Sequence, residues 1–186
     1  KQGHNVILNY VSSRKAAQDT VSHIRKTYKV QSFAIQADIS KQEDVEILIE
    51  KTLAKLGSID ILVHNAGPYI KEQKKFSEYT LDEWNRMING NLNSCFYLLQ
   101  GILPSMQEKG WGRVIMLGFN QVGSAPGWKY RSAYAAAKTG LASLTRTLAL
   151  EEAENGITVN MVCPGDIVGH YKEMDINQVR KIQTDE

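Results

Sequence analysis

The sequence predicts an α/β fold, doubly wound, with a parallel sheet covered by helices on both faces. Three observations predict it. Short apolar runs such as Val6-Ile7-Leu8, Ile61-Leu62-Val63 and Val114-Ile115-Met116-Leu117 recur along the chain, and they are too short for helices. Longer segments with apolar residues at helical spacing lie between them. The runs are apolar throughout rather than alternating, as in strands buried on both faces.

Asn5–Tyr10 reads as the first strand, and Ser12 or Ser13 as the cap of a helix whose apolar face is Ala17, Val21, Ile24 and Tyr28. Val30–Ala37 is the second strand, ending at Asp38. Ser40 and Glu43 have the spacing of a capping box before a helix through Val45, Leu48, Ile49, Leu53 and Leu56, with Gly57 at its end. Ile59–Val63 is the third strand and runs into His64-Asn65-Ala66-Gly67-Pro68. Residues 69–79 are polar and irregular. Thr80 and Glu83 form a second capping box, opening a long helix through Trp84, Met87, Ile88, Leu92, Phe96 and Leu99 that Pro104 kinks or restarts. Arg113–Leu117 is the fourth strand, followed by a Gly-, Ser- and Pro-containing loop over 118–128. A further helix continues through Leu141, Leu144 and Leu148 to Gly156, and Ile157–Cys163 is the fifth strand, stopped by Pro164-Gly165.

The 186 residues suit one domain with a sizeable core. A net charge of +2 gives no reason to expect nucleic acid or an anionic membrane as partner. No apolar run approaches the roughly 20 residues that span a bilayer, and without a secretory h-region the expected location is cytoplasmic. Cys95 and Cys163 fall inside predicted elements and read as buried, reduced thiols. The four histidines are scattered, without zinc-like pairing. Both ends read as cut from something longer.

The chemistry centres on Ser132-Ala133-Tyr134-Ala135-Ala136-Ala137-Lys138. On a helix this spacing stacks the phenol and the ammonium on one face, about 6 Å apart along the axis. A nearby cation favours the phenolate, so Lys138 is expected to lower the Tyr134 pKa and fit it for acid/base work. In doubly wound sheets, ligands bind beyond the carboxyl ends of the strands. Those ends carry Tyr10 to Arg14, Asp38-Ile39, Asn65-Ala66-Gly67, Gly118-Phe119-Asn120 and Pro164-Gly165-Asp166-Ile167. Singly, each suits a strand-ending turn; together, on one rim with Tyr134 and Lys138, they favour a site.

Asp38, His64-Asn65-Ala66-Gly67, Asn91, Tyr134-x-x-x-Lys138 and Pro164-Gly165 occur in the order and spacing of a known family. The chain resembles the short-chain dehydrogenases/reductases of the Rossmann type, and among them bacterial 3-oxoacyl-(acyl-carrier-protein) reductases and their unassigned relatives. The resemblance implies a single Rossmann-type domain over 1–186, incomplete at both ends, with 168–186 as a substrate lid. It implies that Asp38 meets the adenine, followed by Ile39, and that Asn65, Ala66 and Gly67 line the adenosine. Lys138 would bind the nicotinamide ribose and polarise Tyr134, the proton donor to the substrate carbonyl. Asn91 would hold a water linking Lys138 to solvent, while Pro164, Gly165 and Ile167 shape the nicotinamide pocket.

The chain departs from the family pattern in three places. The Gly-rich phosphate turn, the first strand and the last strand are not in the sequence, and lacking the first strand the sheet would carry a gap between Val6–Tyr10 and Ile59–Val63. Gly118-Phe119, or Gln121 by counting back from Tyr134, stands where a catalytic serine is usual; Asn120, Gln121 or Ser124 are the candidates to replace it. Gly169 stands where many relatives have a threonine. For cofactor choice, NAD-specific members place an acid at the end of the first strand of this chain. Tyr10 is there instead, followed by Ser12, Ser13 and Arg14. With no carboxylate to repel a 2′-phosphate and Arg14 to meet it, the resemblance implies NADP rather than NAD.

The resemblance thus implies reduction of a ketone, a 3-oxoacyl thioester or a similar small molecule. A rival reading is a family member that binds cofactor or regulates without efficient turnover. Relatives assemble as homodimers or homotetramers, and Leu98, Leu99, Leu144 and Leu148 are either such an interface or sheet-packing residues.

Overall fold

The computed structural model describes residues 2–165 and Met174. Ile167, Gly169 and nearly all of the expected 168–186 lid lie outside the described residues. The elements are β1 (Val6–Tyr10), α1 (Arg14–Tyr28), β2 (Ser32–Gln36), α2 (Gln42–Leu56), β3 (Ile61–His64), α3 (Leu81–Ile88), α4 (Ser94–Lys109), β4 (Gly112–Leu117), α5 (Ser132–Glu151) and β5 (Ile157–Val162). All strand pairings are parallel, so within each sheet the strands deliver their carboxyl ends to one edge.

The pairings fall into two sheets, β1-β2 and β3-β4-β5. A cleft of about 980 Å³ separates them, lined by Val6, Ile7 and Leu8 on one wall and Ile61, Leu62 and Val63 on the other. It lies where the sequence places the gap. Val63, on the edge strand β3, is 56% exposed there. The halves are joined by helices. The core runs through Val45 and Leu48 of α2, Leu98, Leu99 and Ile102 of α4, Val114 and Met116 of β4, and Leu141 of α5. A methyl group on Gly101 would come within 2.5 Å of Ile49 Cδ1, so α2 and α4 meet at a glycine. Leu98 and Leu99 are buried, and Leu144 and Leu148 are partly buried against the same core.

Several local expectations are corrected. Ser40 does not cap α2; its N–H and hydroxyl both donate to Asp38 Oδ1, and the Asp44 carboxylate accepts from the Asp38 N–H at 2.7 Å. Ser13 stands at the start of α1 but its side chain makes no cap bond. The Thr80–Glu83 capping box forms in both directions. Pro104 sits within a continuous α4; the long helix is interrupted earlier, by a π-turn over Asn89–Asn93. Side chains satisfy carbonyls around this turn, Ser94 Oγ donating to Gly90 and Asn91 Nδ2 to Met87. α5 ends at Glu151, five residues before Gly156, where the Ile157 N–H closes a turn onto the Glu152 carbonyl. Cys95 is buried but Cys163 is exposed, because β5 has already ended.

Candidate active site

Tyr134 and Lys138 lie in the first two turns of α5, beneath the end of β4. Alanine at 133, 135, 136 and 137 keeps the helix slim enough to enter this crowded position. The Lys138 side chain is 3% exposed, and its ammonium donates to the Leu117 carbonyl at 2.8 Å. Burial pushes its pKa down to about 8, with Cys95 opposing weakly. An ammonium has three donors; among the described residues only that one bond is formed, leaving donors for a polyol beside it.

The expected lowering of the Tyr134 pKa does not occur. Burial, then the neighbouring Tyr69, raises it. The physical reason is orientation: the ammonium turns to Leu117 and stands 5.8 Å from the phenol ring centroid. A neutral phenol is nevertheless the form that can give a proton.

Asn91 is fully buried on the π-turn; its Nδ2 donates to the Pro68 carbonyl at 2.9 Å and to Met87, while among the described residues Oδ1 has no partner. Gly67 is required beside it, since a Cβ there would collide with Asn91 Oδ1. Sequence reading named His64 within the His64-Asn65-Ala66-Gly67 motif but gave it no role. It is 1% exposed, with Nε2 at 2.8 Å from Ser94 Oγ. Because that hydroxyl already donates to Gly90, His64 Nε2 carries the proton, and among the described residues Nδ1 has no partner. Burial, and then the Lys138 charge, push its pKa down to about 4, so the imidazole is neutral.

The rim residues divide by exposure. Asn65, Ala66, Gly67 and Gly165 present open backbone, and among the described residues nothing lies within 4 Å of a Cβ built on Gly165. Pro164 is half-buried beside it. Ser12 and Arg14 are exposed and Tyr10 half-buried, all on the β1-β2 half. Asp38 is half-buried with one carboxylate oxygen committed to Ser40, and Ile39 is buried in the core. Asn120, Gln121 and Ser124 are exposed, and the Ser124 hydroxyl donates to the Gln121 carbonyl at 2.9 Å. Among the described residues no hydrogen bond reaches the Tyr134 hydroxyl. Its neighbours are the rings of Tyr69, Phe119 and Trp128, which the sequence signalled only as aromatics stranded in polar loops.

Residues 1–178 match the short chain dehydrogenase family. The chain belongs to that family. As a short-chain dehydrogenase it is 46% identical over 179 residues to YtkK, an unassigned oxidoreductase of Bacillus subtilis (strain 168), covering 96% of this chain and 70% of that protein. It is 38% identical over 168 residues to the 3-oxoacyl-[acyl-carrier-protein] reductase FabG of Staphylococcus epidermidis, covering 90% of this chain and 67% of that one. The solved structure of a provisionally assigned 3-oxoacyl-reductase from Bacillus thuringiensis superposes with a TM-score of 0.87 at 45% identity, covering 98% of this chain and 75% of that one. The family is one of oxidoreductases using a nicotinamide dinucleotide, with a Rossmann-like α/β fold. Among the described residues of this short-chain dehydrogenase no helix is long and apolar enough to cross a membrane.

Proposed function

We propose that the chain is an NADP-dependent reductase converting a ketone to a secondary alcohol, with a 3-oxoacyl thioester as the substrate class suggested by its relatives. One observation carries the reading: a neutral phenol and a buried ammonium with spare donors stand together on α5 beside the carboxyl end of β4. The open backbone at Asn65 to Gly67 and Gly165, together with those spare donors, fits a dinucleotide. Arg14 and Ser12 would hold the 2′-phosphate beside Tyr10, and Asp38 and Ile39 the adenine. Asn65, Ala66 and Gly67 would line the adenosine, Lys138 would hold the ribose hydroxyls, and Pro164, Gly165 and Ile167 would flank the nicotinamide. When bound, the reduced cofactor supplies the hydride for the carbonyl carbon and leaves oxidised.

Tyr134 gives its hydroxyl proton to the carbonyl oxygen, so that C=O becomes CH–OH. The phenolate left behind is then stabilised by the Lys138 charge, a differential effect that a neutral phenol does not feel. Asn91, whose Oδ1 faces Gly67 without a partner, is placed to accept from a water that returns the proton. Phe96, 54% exposed on α4, suits a homodimer or homotetramer contact, and the protein would work in the cytoplasm.

The test follows NADPH absorbance with an acetoacetyl thioester. Turnover is expected, falling about 10²- to 10⁴-fold in Tyr134→Phe; full activity in that variant refutes the mechanism. The second reading, a cofactor-binding or regulatory protein, is favoured by Phe119 rather than a hydroxyl beside Tyr134. Tight NADPH binding without turnover of any ketone selects it.

A further inference from the structure

The Tyr134 ring is enclosed by aromatic side chains from two loops, the one after β3 and the one between β4 and α5. Tyr69, after β3, meets it edge-on at 5.1 Å between centroids. Trp128, from the loop before α5, stands at 5.9 Å and also edge-on. Phe119, just past β4, lies at 6.2 Å and stacks at a tilt on Trp128 at 4.9 Å. Packing for its own sake would bury these rings, yet Tyr69 is 42% and Trp128 41% exposed. Aromatic surface left open beside a reacting group is a recognition surface.

The wall is also fixed in place. The Arg131 guanidinium lies 5.0 Å from the Tyr69 ring centroid and donates to the carbonyls of Lys71 and Glu72 at 2.9 and 2.6 Å, fastening the Tyr69 loop to the start of α5. Gln121, Ala125 and Tyr130, in the segment that carries Trp128, hold positive φ of 60°, 50° and 65°. Such conformations are unfavourable for residues with a Cβ and persist where the surroundings impose them.

We propose that Tyr69, Phe119 and Trp128 are specificity-determining residues, and that the preferred substrate is a ketone carrying an aryl group close to the carbonyl. The proposal rests on the reductase reading, which sets the carbonyl oxygen at the Tyr134 hydroxyl. With the oxygen there, the substituent on the carbonyl falls among the three rings. A flat aryl ring gains edge-to-face and offset contacts with them that a saturated chain lacks, worth about 2- to 10-fold in binding for each ring met.

The test compares two 3-oxo esters of equal size, ethyl 4-phenyl-3-oxobutanoate and ethyl 4-cyclohexyl-3-oxobutanoate, as substrates with NADPH. The phenyl ester is expected to have a kcat/KM higher by about 10-fold or more, with the ratio falling towards one in Trp128→Leu and Phe119→Leu. Binding of each ester is followed in parallel by tryptophan fluorescence, with Trp128→Leu identifying the Trp128 signal. Equal turnover of both esters, or a preference untouched by the two variants, overturns the inference and leaves the reductase reading standing. Trp128-dependent binding of the phenyl ester without turnover keeps the aromatic wall and overturns the reductase reading. Neither binding nor turnover overturns both.

Discussion

Acidifying the protein from pH 7 to pH 4 will cost it stability through one histidine. The proton-binding tendency of His64 falls from a normal pKa of 6.5 to about 4 in the fold, because the ring is buried and Lys138 is near. The unfolded chain therefore takes up a proton on His64 from about pH 6.5 downwards while the native state refuses it. Stability is whole above 6.5 and declines as the pH falls towards 4, by about 1.4 kcal/mol for each pH unit and about 3 kcal/mol over the window. Urea midpoints at closely spaced pH values give this slope. His64→Asn retains a donor for Ser94 Oγ but has no proton to take up. Carboxylates such as Asp60, lowered by Lys109, lose their contribution in both proteins and cancel in the difference. Parallel profiles for the two proteins between pH 4 and 6.5 refute the reasoning.

Lys138 titrates in the opposite range: with its pKa lowered from 10.5 to about 8, the native state releases the proton first and stability climbs from pH 8 towards 10.5. Lys138→Met is expected to flatten that rise and keep its thermal midpoint at pH 7 while losing dinucleotide affinity, read by calorimetry. Gly67→Ala drives a methyl into Asn91 Oδ1 and strips the buried amide of its bonds to Pro68 and Met87, a loss of about 1–3 kcal/mol in urea unfolding. Native protein is expected to show one thiol, Cys163, to a thiol reagent; Cys95, buried and pushed up to about 12, reacts on unfolding. Gly101→Ala puts a methyl against Ile49 Cδ1 and lowers the urea midpoint, which Ile49→Val in the same chain partly restores.

The strands and helices were legible because a parallel sheet writes its burial as unbroken apolar runs. The Thr80–Glu83 box was legible because both partners are local. Ser40–Glu43 has the same spacing, but Asp38 competes for the serine from two residues away, and spacing alone does not rank rivals. The π-turn at Asn89–Asn93 left no periodic trace, since its apolar neighbours Met87 and Leu92 still suit a regular helix. At the site, Tyr134 and Lys138 were readable as a pair; the direction of the ammonium was not, because the Leu117 carbonyl that captures it is contributed by backbone 21 residues away. The aromatic wall was hidden for the same reason, because the loop carrying Tyr69 meets the loop carrying Phe119 and Trp128 only in three dimensions.

The residues proposed to hold the dinucleotide come from both sheets. Arg14 and Asp38 follow β1 and β2, while Asn65 follows β3 and Lys138 rides on α5. A molecule that touches all four therefore reads the packing of α2 on α4, where Gly101 admits Ile49, so that a change at this remote contact registers in its affinity.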